Sequence, residues 1–202
     1  MKRFRIAGDV SALPTYAFGN RNIHWWGTLM FMTIEGMTIA VCAAAYLYVR
    51  KNFEAWPPPP TPLPDLVIPT IAAVLMVLSI AMMTRVHVAT RKMDLRGVQR
   101  WLVIMVIVGI VLVALRWFEF KALNTRWDSN AYGSTAWATV AFHSTLLLFE
   151  VVETAVFAAL MLFGPREKKH FTDVEDDAVY WYFMAAIWVP LYVLVYVSPH
   201  FA

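Results

Sequence analysis

Residues 136–163 read AWATVAFHSTLLLFEVVETAVFAALMLF, an apolar run broken by one histidine, His143, and two carboxylates, Glu150 and Glu153. A helix needs roughly 18 to 20 apolar residues to cross about 30 Å of hydrocarbon, so this stretch is long enough to span a bilayer. Four further stretches of the same kind lie at 25–48, 66–83, 98–117 and 178–197. The fold class that follows is all-α, an integral membrane bundle of five transmembrane helices. Strand barrels are excluded because no span alternates with period 2, and lipid admits only helices or closed barrels. Composition agrees, with 60% hydrophobic and 15% charged residues among 202, where a soluble domain carries about 25% charge.

The chain divides into a segment 1–24, a membrane domain 25–197 and a short C-terminal tail 198–202. Lys2, Arg3, Arg5, Arg21, Arg85, Arg91, Lys92, Arg96, Arg100, Arg166, Lys168 and Lys169 fall on one side of the five crossings. Arg50, Lys51, Arg116, Lys121 and Arg126 fall on the other. Twelve cations against five place the N-terminus in the cytoplasm and the C-terminus in the periplasm. The net charge of +3 reflects these helix-end cations, so no nucleic-acid partner is expected. No cleavable signal peptide is expected either, since the basic start runs into a polar stretch, 8–22, that contains Pro14 and no short apolar core.

The lone cysteine, Cys42, lies in the first span as a small core residue, which removes both a disulfide framework and a two-cysteine copper centre. Between the first two spans, the prolines of 56–64 predict a stiff extended connector, a strap between helices or a docking site for a partner. The basic loop 84–97 reads as cytoplasmic charge facing water or headgroups. Repeats of 20 to 50 residues are absent.

Whatever chemistry exists belongs to the polar residues inside the spans. Glu35 stands halfway along the first, where an ionised carboxylate costs roughly 2.5–3.5 kcal/mol on insertion scales. It should therefore face protein, pair with a donor or stay protonated, packing against the fourth span near His143 or facing bound lipid or water. His143 and Glu150 are two helical turns apart and Glu153 follows three residues on, which puts all three on one broad stripe. Three readings compete for this seam. A metal site is disfavoured because di-metal bundles draw Glu-x-x-His pairs from two helices, and a bis-histidine haem because His24, His87, His170 and His200 lie at or beyond span ends. A proton relay of Glu35, His143, Glu150 and Glu153 suits a stand-alone proton-coupled carrier. A hydrogen-bonded network holding helices together and fitting lipid or a partner is the third. Trp25, Trp26, Trp181 and Trp188 are expected to be helix-end aromatic anchors.

Several pieces in collinear order, from residue 25 to residue 196, carry a resemblance. Trp25, Gly27, Phe31, Glu35 and Met37 match Trp-x-Gly-x-x-x-Phe-x-x-Ser-Glu-x-Met, and Leu63-Pro64 precedes the second span. Arg116-Trp117-Phe118-Glu119-Phe120 is similar to Gln-x-x-Glu-Tyr. Tyr132-Gly133-Ser134 and Phe142-His143 follow at the expected spacing, then Glu175, Tyr180-Trp181, Phe183 and Trp188. Together they resemble subunit III of cytochrome c oxidase, within the haem-copper oxidase subunit III superfamily. The resemblance implies the five-helix form, which quinol oxidase subunit III and the accessory protein of nitric oxide reductases share. It further implies a non-catalytic chain that packs against catalytic subunit I and subunit II, holds phospholipid, supports proton uptake and binds no cofactor itself, with haem and copper in its partners. It adds Glu119 to the interior network and places the chain in a bacterial cytoplasmic membrane.

Departures from the pattern are specific. Tyr182 replaces a histidine, Ala185 an aspartate, Leu146 a second histidine and Glu150 a glycine. Glu150 and Glu153 are thus outside what the resemblance explains. They leave open a divergent oxidase, a nitric oxide reductase or another membrane enzyme as the partner.

Overall fold

The computed structural model describes residues 23–164 and 168–201. The segment 1–22, Arg166 and Ala202 lie outside them, and with them part of the charge count that predicts orientation. Five helices carry the chain: α1 Ile23–Arg50, α2 Val67–Arg91, α3 Leu95–Ala122, α4 Ala131–Phe163 and α5 Lys168–Tyr192. All five are long and apolar enough to cross a membrane, and among the described residues every regular element is helical.

Helices α2, α3, α4 and α5 close a ring in which each packs on the next and α5 returns to α2, while α1 lies outside against α4 and α5. The ring is built by a stripe of residues three or four apart. On α3 it reads Val98, Leu102, Met105, Gly109, Leu112, Arg116, Glu119; on α4 it reads Ala136, Val140, His143, Leu147, Glu150, Thr154, Ala158, Met161. A 3-4 alternation keeps one face turned inward along the helix, and the opposite face meets lipid. That is why Ile107, Ile110, Phe149, Val152 and Val156 remain exposed.

The helices outrun the apolar spans, most of all α5. It begins at Lys168 and takes in Asp173, Asp176 and Asp177, because Asp176 and Asp177 are buried against other helices. Asp94 and Asn130 cap α3 and α4, each side chain accepting the N–H of the glycine three residues on. In α5, Pro190 has no N–H to offer the preceding turn. Three residues past it the chain widens into a π stretch, Val193–Val197, then a 3₁₀ turn, Ser198–Phe201. The tail is therefore a continuation of α5, held where the His200 ring meets the Pro64 carbonyl at 3.0 Å.

The connector 51–66 is a strap, and it bends rather than running extended. The Thr61 N–H donates to the Pro58 carbonyl, closing a turn. Trp56 is buried, its indole N–H donating to Tyr46 Oη at 2.8 Å and its ring edge-on to Tyr46 and Tyr132. Asn124 donates to the Leu63 carbonyl and Asn130 to Thr61 Oγ1. These contacts pin the proline run across the end of the bundle.

Gly109 sets the α3–α4 spacing, since a Cβ there would lie 2.6 Å from Val151 Cγ2. The stiff valine cannot swing away as a long side chain can. Gly109→Ala should therefore cost about 1–3 kcal/mol, as overpacking does. Adding Val151→Ala should recover most of it, a compensation that detergent thermal melts of the two variants would measure.

Candidate functional site

The interior polar residues form two clusters at different depths. The first surrounds His143. Arg116 and Glu119 stand one turn apart on the inward stripe of α3, with Arg116 Nη1 2.8 Å from Glu119 Oε2. The contact is ionic and lacks hydrogen-bond alignment, since neither atom has a hydrogen-bond partner. Arg116 Nη2 lies 3.0 Å from His143 Nδ1, and His143 Nε2 lies 3.1 Å from the Met184 carbonyl. A carbonyl can only accept and a guanidinium can only donate, so Nε2 carries the proton and Nδ1 receives the Arg116 N–H. The Trp188 ring closes the cluster, 3.5 Å under the Arg116 guanidinium carbon and 4.7 Å from the imidazole centroid. From the π stretch, Tyr196 Oη donates to the Glu119 carbonyl at 3.0 Å. One network thus ties α3, α4 and the bent end of α5.

The second cluster lies towards the opposite end, where α1 and α5 begin. Glu35 is buried and accepts a hydrogen bond from Tyr180 Oη. Of the alternatives the sequence left open, Glu35 has a donor, and that donor is on α5 rather than beside His143. Asp177 is buried and accepts from Thr154 Oγ1 at 3.2 Å, while Asp176 meets His24 Nδ1 at 3.2 Å. Glu150 is buried, and among the described residues neither of its carboxylate oxygens has a partner. Glu153, off the inward stripe, is exposed. Glu150, Glu153, Asp176, Asp177 and Tyr180 share the wall of a cavity of about 350 Å³. A larger cavity of about 620 Å³ lies at the other end, among Trp117, Lys121, Arg126 and Trp137, and touches none of these acids.

The predicted seam is therefore split. His143 joins Glu119 through Arg116, whereas Glu150 and Glu153 belong with Glu35, Tyr180 and the two aspartates. Arg116, counted above as an outward cation, is only 5% exposed and serves the interior. Its place on the 3-4 stripe of α3 was the signal for it. Asp176 and Asp177 were missed because they lie just before the apolar span, and Tyr180 because a tyrosine at a span end reads as an interface residue. Trp181 and Trp188, expected as anchors, are fully buried; the Trp181 indole N–H donates to Ser79 Oγ at 2.8 Å. Among the tryptophans near helix ends, Trp26, Trp117 and Trp127 are the exposed ones. Among the described residues no group of three or more His, Cys, Asp or Glu is placed to hold a metal ion.

Arg116→Leu should leave Glu119 as an uncompensated buried charge and destabilise the protein by about 3–5 kcal/mol. Removing both charges in Arg116→Leu/Glu119→Leu should be far milder than the single change. Thermal unfolding of both variants in one detergent tests this order, and equal melting of the two would contradict it.

The sequence model of the family described as cytochrome c oxidase subunit III matches residues 18–199. Cytochrome c oxidase subunit 3 of Synechocystis sp. is 26% identical over 183 residues, covering 88% of this chain and 77% of that protein. Cytochrome c oxidase subunit 3 of Thermostichus vulcanus is 26% identical over 180 residues, 87% of each chain. The probable cytochrome c oxidase subunit 3 of Nocardia farcinica is 29% identical over 198 residues, 94% of this chain and 95% of that one.

Proposed function

The chain belongs to the cytochrome c oxidase subunit III family, and from that premise we propose that it works as the non-catalytic subunit of a haem-copper terminal oxidase. It packs on catalytic subunit I and on subunit II, which hold the haem and copper, and it stabilises them, retains phospholipid and supports proton uptake. Its place is a bacterial cytoplasmic membrane, with the N-terminus inside. The observation that carries this reading is the commitment of His143. Both of its ring nitrogens are engaged within the chain, one by Arg116 and one by the Met184 carbonyl, so the core histidine has no lone pair to give to an iron. A supporting chain needs such a closed interior, because its polar groups hold helices rather than ligate metal.

The lipid-facing surface of α1 supports the partner assignment. Met30, Phe31, Ile34, Met37 and Val41 leave it the least buried of the five helices, as suits a helix with room for a second chain or lipid beside it.

Purification of the tagged chain in mild detergent should recover large haem-bearing chains and an oxidase haem spectrum. Recovery of this chain alone, folded and able to drive proton-coupled transport in liposomes, would replace the subunit reading with the carrier. A haem spectrum with nitric oxide reduction in place of oxygen reduction would move the chain to a nitric oxide reductase.

Orientation is tested separately. A reporter that is active only outside the cytoplasm should be active when fused after Ala202 and silent when fused at Asp94, because the cation count puts the two on opposite faces. Reversed signals would invert the topology.

A further inference from the structure

We infer that the cavity between the beginnings of α1 and α5 and the later part of α4 binds an organic ammonium group, taken up by Glu150 and Asp177. Three observations converge on it. The cavity, about 350 Å³, is lined by four carboxylates, and among the described residues neither a lysine nor an arginine lines it. Asp177 has Thr154, Asp176 has His24 and the nearby Glu35 has Tyr180 as donors, but Glu150, 1% exposed, has none for either oxygen among the described residues. Phe31, Phe149 and Tyr180 add aromatic faces to the same wall.

The ligand class follows from this set. An unpartnered carboxylate shielded from water calls for a donor bearing positive charge. An ammonium group supplies three N–H donors, enough to bridge Glu150 and a neighbouring acid. Aromatic faces attract the same cation through the negative face of the ring. A bare metal ion fits less well, because no three acids among the described residues converge to a ligand geometry. The exit is apolar: Phe31 and Phe149 are 57% and 66% exposed on the bundle surface, so an alkyl stem can leave along them towards lipid. The group has two sources, the headgroup of an aminophospholipid or a free alkylamine. The headgroup source rests on the phospholipid retention proposed above, whereas the free-amine source does not.

The test uses the full chain, purified in mild detergent with whatever chains accompany it, titrated calorimetrically with n-hexylammonium chloride. Native mass spectrometry from micelles with equal phosphatidylethanolamine and phosphatidylglycerol reads the lipid arm. Saturable hexylammonium binding, preferential retention of phosphatidylethanolamine, or both should be seen, and Glu150→Gln should weaken them at least ten-fold. Asp177→Asn should weaken them as well, and Glu175→Gln, outside the cavity, should not. Circular-dichroism melts confirm that the variants fold; if Glu150→Gln unfolds, Asp177→Asn carries the comparison. Hexylammonium binding that phosphatidylethanolamine fails to displace identifies a free amine; retention of that lipid without hexylammonium binding identifies the headgroup. No selectivity in either arm, equal binding in the folded variants, or displacement by micromolar magnesium would overturn the assignment.

Discussion

Hydrocarbon does not solvate charge, and the arrangement of this bundle follows from that constraint. Arg116 and Glu119 on α3 are buried inside the bundle and too expensive to leave alone. Pairing with each other solves only part of the problem, because their contact is ionic without hydrogen-bond alignment and the guanidinium has further N–H groups to place. His143 takes one of them, the Trp188 ring takes the guanidinium face, and Tyr196 reaches the Glu119 backbone. The partners come from α4 and from α5 with its π continuation, so the cost of one ion pair fixes the rotation of α3, α4 and α5 together.

The bend in α5 belongs to the same solution. Tyr196 lies in the π stretch past Pro190, where an added residue per turn shifts side chains relative to a regular helix. That stretch is also where α5 meets the network of α3. The strap 51–66 closes the bundle at the same end through Trp56, Tyr46 and Tyr132, so this end is cross-linked by side chains from α1, α4 and the connector.

Five helices and their order were legible in the sequence because length and hydropathy alone decide whether a segment spans. Their ends were not. A hydropathy window stops at the first charge, yet α5 runs ten residues beyond the expected start at 178, since Asp176 and Asp177 find His24 and Thr154 across the bundle. Counting cations by loop misplaced Arg116 for the same reason: the count is one-dimensional, whereas its side chain points along the inward stripe. Trp181 and Trp188 were read as interface anchors from their position near a span end, but indole also serves a core wherever its N–H has a partner or its face has a cation. Glu35, Glu119, Glu150 and His143 are all buried. The sequence did not reveal how they divide, because residues seven apart on one helix share a face while meeting different neighbours.

That division explains the character of the two clusters. The inward stripe of α4 presents His143 at one depth and Glu150 two turns later, and the helix itself treats them alike. What differs is what faces them. At the level of His143, α3 supplies a guanidinium, and a neutral ring with one donor and one acceptor is satisfied from both sides. At the level of Glu150, α5 supplies Asp177, an acid opposite an acid, and α1 brings Glu35, whose one donor is already Tyr180. Five helices can close a polar network only where their charges are of opposite sign at the same depth. This bundle meets that condition at one level, where Arg116 lies between Glu119 and His143. It fails it at the other, where the wall of carboxylates encloses a cavity instead of a bond.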